Sequence, residues 1–121
     1  SSIILLGWID DWWGILQQSK CLISCSLFEG QPNVLLEAIA SECPTIVSDT
    51  HSHREILDNN STSFVDPGNI ETISNQIQNV MTDYEQCLKK AQVAYNLIEK
   101  NSFSNVAQEY MSMYDYILGK K

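Results

Sequence analysis

The stretch Phe28-Glu29-Gly30-Gln31-Pro32-Asn33-Val34-Leu35-Leu36-Glu37-Ala38-Ile39-Ala40, with Pro44-Thr45-Ile46-Val47-Ser48 after it, decides the fold. It reads as a tight loop, a helix and then a strand. Proline suits the first position of a helix, because its missing N–H would be unpaired there anyway, so the helix is expected from Pro32 to about Ser41. Val34, Leu35, Ala38 and Ile39 fall on one face of it. Thr45 to Ser48 is a β-branched run led by proline, the mark of a short strand. Working backward, Cys21 to Leu27 reads as the strand that feeds the loop. Strand, loop, helix and strand in this order make a βαβ unit and a parallel sheet.

The same alternation extends outward. Ile3 to Leu6 reads as a further strand ended by Gly7, and Asp10 or Asp11 caps a helix from Trp12 to about Gln18. His51 to Leu57 is a helical turn. Thr62 to Val65 is the fourth short strand, stopped by Asp66-Pro67-Gly68. The remainder is helical: Ile70, Ile73, Ile77 and Val80 keep the helix period, as do Leu88, Ala91, Tyr95 and Ile98, and then Val106, Tyr110, Tyr114 and Ile117. Boundaries are expected near Asp83 and Asn101. The aromatic and Met positions of the last helix are expected in the core. The expected fold is α/β, a Rossmann-like parallel sheet of about four short strands with a helical C-terminal tail.

Composition narrows the function. The chain has 121 residues, enough for one core and too few for two. A net charge of -8 argues against nucleic acid, which demands a basic footprint. It argues equally against docking on an anionic membrane. No apolar run approaches the ~20 residues of a membrane span, and the first residues lack the features of a signal peptide. A cytoplasmic location is expected. Cys21 and Cys25, four apart on a strand, face one side as small core residues. Without a Cys-x-x-Cys pair, the four cysteines read as reduced thiols.

The chemistry points to the loop. Glu29 stands at the C-terminal end of a strand, where open α/β sheets bind their ligands. Gly30 lets backbone pass close to a ligand. The unpaired N–H groups of the first helical turn, with the helix dipole, suit a diphosphate. Glu37 lies roughly 7 Å further along the axis, outside the apolar face. Carboxylates at both ends accept hydrogen bonds from sugar and ribose hydroxyls. Two glutamates at this spacing alone would read as solvated. The order strand, Glu-Gly-x-Pro, apolar helix with Glu, and Pro-led strand is far more specific. Other candidates read as structural: His51 and His53 as surface histidines, Asp10-Asp11 as a helix cap, and at least two of Trp8, Trp12 and Trp13 as packing residues.

Residues 28–40 resemble the E-x7-E motif of glycosyltransferase family 4, whose members have the GT-B fold. Leu6-Gly7-Trp8-Ile9-Asp10-Asp11 resembles that family's segment at the nucleotide base. Pro44 to Asp49, His53 to Leu57 and Val65 to Gly68 resemble later landmarks. The resemblance implies that residues 1–121 are one partial nucleotide-sugar-binding domain, a C-terminal GT-B unit with a βα core over 1–69 and a helical tail over 70–121. It implies a catalytic Glu29 on the donor sugar's hydroxyls. Gly30, Gln31 and Asn33 would approach sugar and diphosphate. Val34 and Leu35 would offer first-turn N–H groups, Glu37 would hold the ribose, and backbone at Ile9 would meet the base. No catalytic metal and no cofactor beyond the nucleotide-sugar substrate is implied. The acceptor, a glycan or another molecule, would be held by an N-terminal domain ahead of residue 1, and this chain alone would be inactive. A non-catalytic nucleotide-sugar-binding module is the alternative. Where similar enzymes often carry a glycine pair, this chain has Thr50-His51-Ser52-His53.

By the same resemblance the full sheet has the order 3-2-1-4-5-6, which places Ile3–Leu6 two positions from Cys21–Leu27. Either Ile3–Leu6 moves into the vacant place beside Cys21–Leu27, or two chains pair through their open edges. The first is the expectation, because its connection is short.

Overall fold

The computed structural model describes residues 3–28, 30, 33–100, 111–113 and 115–119. Its centre is a three-stranded parallel sheet of β1 (Leu22–Ser24), β2 (Thr45–Ser48) and β3 (Ser63–Val65), in that order. Ile23 pairs with Ile46, and Val47 with Phe64. The helices are α1 (Trp13–Gln18), α2 (Asn33–Ala40), α3 (His51–Ile56), α4 (Ile70–Thr82) and α5 (Tyr84–Lys100). The parallel Rossmann-like architecture expected of a GT-B unit is therefore present, with three strands rather than four.

β2 is flanked on both sides and buried along its length, as a strand covered on both faces must be. Its successive side chains feed two cores, because strand residues alternate between faces. Val47 packs with Leu35 and Ile39 of α2, Leu57, and Ala94 of α5. Ile46 packs on the other side with Val65 and Val80 of α4, where Cys21, Cys25 and Cys87 join it. Cys21 and Cys25 thus share a face as their spacing predicts, half-buried and unpaired. A third cluster of Leu16, Ala38 and Cys43 seats α1 against the back of α2, with Trp12 beside it.

The two ends of the sheet are treated differently. At the N-terminal end, Thr62 Oγ1 donates to the Thr45 carbonyl at 2.9 Å and lies 2.7 Å from Thr45 Oγ1. Lys90 of α5 donates to the Thr62 carbonyl at 3.2 Å. That end is closed. The C-terminal ends of β1 and β2 run into the loops that carry the candidate site.

Helix boundaries follow their capping chemistry. The Asn69 side chain accepts from the N–H groups of Glu71 and Thr72 at the start of α4. α4 stops at Asp83, as the periodicity predicts. At the end of α2, Cys43 N–H bonds to Ala38 O and Glu42 N–H to Ile39 O, the paired closure of a Schellman turn. That turn places Glu42 at φ 54°, a left-handed conformation that a side chain resists. Replacing Glu42 by Gly is expected to raise unfolding stability by about 1 kcal/mol, read as a higher urea midpoint at unchanged slope. A lower midpoint would show that Glu42 makes a compensating contact.

Four expectations are corrected. Ile3–Leu6 is not a strand: it pairs with nothing among the described residues, and its side chains are 56–95% exposed. An apolar run becomes a strand only where a neighbour completes its ladder, and β1 has β2 as its one neighbour among the described residues. Ile3–Leu6 therefore does not fill the place beside β1. The feeding strand is shorter than Cys21–Leu27, because β1 leaves its ladder after Ser24. Val34 is not on the buried face of α2; it is 51% exposed, while Leu35, Ala38 and Ile39 are buried. In the last helical segment Met111, Met113, Tyr116 and Ile117 are exposed rather than in the core. Val106, Tyr110, Tyr114 and the boundary near Asn101 lie outside the described residues.

Candidate functional site

The loop between β1 and α2 sits at the open end of the sheet, as the βαβ reading requires. Glu29, Gln31 and Pro32 lie outside the described residues, so the expectations for them are neither met nor corrected by the structure. Gly30 is exposed, and a Cβ built on it meets nothing within 4 Å. Packing inside the chain does not demand glycine there. Asn33 begins α2 and is exposed, and Leu35 keeps its side chain in the core, leaving only its backbone for a ligand.

A cavity of about 660 Å³ gathers residues from separate segments. Ile9 comes from the chain before α1, Val34 and Glu37 from α2, and Trp8 and Trp13 form apolar wall. Val34 and Glu37 are three apart, so they share one helix face. This is why Val34 leaves the core. Glu37 is half-buried at the cavity margin. Three residues separated by up to 28 positions in sequence, Ile9, Val34 and Glu37, therefore line one space.

The tryptophans depart from expectation. Only Trp12 joins a core cluster. Trp8 is 92% exposed, with Nε1 donating to Asp10 Oδ1 at 3.0 Å. Trp13 is 40% exposed. The cap of α1 is Trp12 rather than Asp10 or Asp11 and makes no side-chain capping bond, although Asp11 accepts from Gly14 N–H at 3.4 Å nearby.

A second cavity, about 390 Å³, lies where β1 and β2 end. Leu27 and Phe28, the residues just before Glu29, face Asp49, Thr50 and His51 across it. Arg54 is nearby but committed. Its Nε and Nη2 grip Asp49 at 2.7 and 2.9 Å, its Nη1 donates to Asn59, and its guanidinium stacks on Phe64 at 3.7 Å. That hydrogen bonding holds the Asp49 carboxyl below its ordinary range. Arg54 is thus a strut between α3 and the end of β2, and its charge is already answered. His51 is 92% exposed, 3.1 Å from Glu55. A small third cavity, about 220 Å³, lies beside Ser63 and Lys90 at the closed end, away from the loop.

His53 is the main miss of the sequence reading. It is fully buried rather than a surface residue, with Nδ1 2.7 Å from the Ser48 carbonyl. Histidine's polarity gives no warning of this. The hint available was its place three residues before Ile56, inside a short helix that must cover the sheet. Cys21, Cys43 and Cys87 are poor nucleophiles. Burial pushes the Cys43 thiol up to about 11 and raises Cys21 and Cys87 as well. Among the described residues, no three His, Cys, Asp or Glu side chains converge as a metal site would require. Nor is any described helix long and apolar enough to cross a membrane.

With this geometry in view, the comparisons with known proteins agree with one another. A UDP-Gal:alpha-D-GlcNAc-diphosphoundecaprenol alpha-1,3-galactosyltransferase of Escherichia coli is 28% identical over 105 residues, covering 81% of this chain and 27% of the relative. The crystal structure of TarM superposes with a TM-score of 0.77 at 21% identity, covering 90% of this chain and 22% of TarM. The chain thus spans about a quarter of the length of each. The family model described as glycosyl transferases group 1 matches residues 1–97. The chain belongs to the glycosyl transferases group 1 family.

Proposed function

We propose that this chain is the donor-binding part of a retaining glycosyltransferase, which moves a sugar from a nucleotide sugar to a glycan or other acceptor. The observation that carries the reading is the shared cavity of Ile9, Val34 and Glu37 beside the first turn of α2. The segment assigned to the base and the carboxylate assigned to the ribose come from different parts of the chain, yet meet in one space. The family match and the name of the Escherichia coli relative support a nucleoside-diphosphate sugar as donor.

In this reading the base lies at the Ile9 backbone, and Glu37 accepts from the ribose hydroxyls. The diphosphate sits at the N–H groups of Asn33, Val34 and Leu35, where the helix dipole favours negative charge. Exposed Gly30 leaves room for the sugar, which Gln31 would approach by its backbone, and Glu29 would take its hydroxyls. Catalysis then comes from positioning the donor and stabilising the leaving diphosphate, without a catalytic metal. The acceptor and the basic groups that neutralise the diphosphate come from upstream chain, so the 121 residues alone are inactive. A cytoplasmic reaction fits the free thiols.

The test is Glu37→Gln in the full-length protein. Losing a hydrogen bond to a charged group costs roughly 1.5–3 kcal/mol, so the donor KM is expected to rise by at least about tenfold. The kcat should change far less. A KM within twofold of the parent would reject the ribose role. Tight donor binding with no transfer to any acceptor would identify a non-catalytic module instead.

A further inference from the structure

The segment that carries Glu29 leaves the sheet early. Ser24 pairs with Val47, and the β1–β2 ladder ends there. Two residues on, a side chain takes over from the backbone: Ser48 Oγ donates to the Ser26 carbonyl. Ser48 is itself held from behind. Its carbonyl accepts from His53 Nδ1 at 2.7 Å and from Thr50 N–H at 2.9 Å. A carbonyl can only accept, so the proton of His53 is on Nδ1. On the far side, Asp49 N–H bonds to the Val65 carbonyl at 2.9 Å and ties the end of β2 to β3. Ser48 and His53 are both completely buried.

We infer that the buried chain His53–Ser48–Ser26 is a positioning element that fixes residues 25–28, the strand extension leading toward Glu29, and that it thereby serves the sugar end of the proposed donor site. Both links end on backbone carbonyls, of Ser26 and Ser48, which stay whatever the side chains are, so apolar side chains at 48 and 53 would take a donor from each. What the polar trio adds is direction. It links the anchored end of β2 to the strand extension beyond the β1–β2 ladder, at Ser26, three residues before Glu29. The three residues are positioning residues; none needs to touch substrate.

The inference rests on the proposed role of Glu29, and one set of measurements separates the two. In the full-length protein, Ser48→Ala and His53→Leu should each lower kcat by about tenfold, the effect of one hydrogen bond on a reacting geometry. The donor KM, set by Glu37, should stay within twofold. The double variant should lose no more than either single one, because both break the same chain. His53→Asn, whose amide can donate from nearly the same place, should recover most of the kcat. In a Glu29→Gln background, Ser48→Ala should have no further effect. If Glu29→Gln lowers kcat while Ser48→Ala and His53→Leu leave it unchanged, or if Ser48→Ala still costs tenfold in that background, the positioning role is wrong. If Glu29→Gln itself has no effect, the donor-site reading fails first.

Discussion

Glu29→Gln in the full-length enzyme is expected to cut kcat by about 10- to 100-fold while the donor KM moves little. The substitution keeps size and shape and removes only charge and one acceptor. On the proposed reading, the Glu29 carboxylate accepts from the donor sugar's hydroxyls and so holds the reacting carbon in place. An amide keeps one acceptor, and where its N–H₂ replaces the other the hydroxyl must turn to accept, so the charge-assisted bond is lost. Such a loss is felt most where geometry matters most, in the transition state. Glu37→Gln is the contrast, because the ribose is remote from the reacting centre and its binding is equal in ground and transition states. A split between the two variants, kcat for one and KM for the other, is the signature of a donor stretched along α2. Wild-type kinetics for both would remove the site altogether. On the proposed reading, acceptor and phosphate-neutralising groups are supplied by other parts of the protein, so the 121-residue chain alone should show no transfer under the same assay.

The parts of this fold that were legible are those where local and tertiary demands coincide. Thr45–Ser48 is a strand by its β-branched residues and by its place at the centre of the sheet, so its limits could be read to the residue. The end of α4 at Asp83 was legible from the helix period, while the Asn69 cap at its start came from the structure. What failed depended on neighbours. Ile3–Leu6 has the composition of a strand but no ladder to join. Val34 has the right period for the core but sits at the margin of the apolar face, where the cavity claims it. His53 has a polar side chain but a buried carbonyl to satisfy. The candidate site shows the same division. The loop-to-helix placement of Asn33 and Glu37 was visible in the spacing, and the meeting of Ile9 with Glu37 entered through family likeness. The hydroxyl of Ser48 bridging to Ser26 could not be read, because it links residues 22 positions apart with no pattern between them.

The largest physical consequence concerns the edge of β1. The chain studied alone is expected to self-associate. β1 bonds to β2 on one side and to no described strand on the other. Ile23 at its middle is 41% exposed, Trp13 and Ile15 of α1 are 40% and 39% exposed, and Leu5 is 95% exposed. An open strand edge beside apolar side chains is a template for another chain. A second copy of the chain is the expected partner, through a self-complementary contact. The net charge of -8 opposes that contact by mutual repulsion, and salt screens the repulsion. Association should therefore strengthen from low to moderate ionic strength, the reverse of a charge-driven dimer. Sedimentation equilibrium across a concentration series reads this directly. Leu5→Lys with Ile23→Lys, which set like charges on the edge, should return the chain to a monomer without loss of helix signal. A wild-type chain that stays monomeric at every concentration and salt would show that the edge is already covered from within.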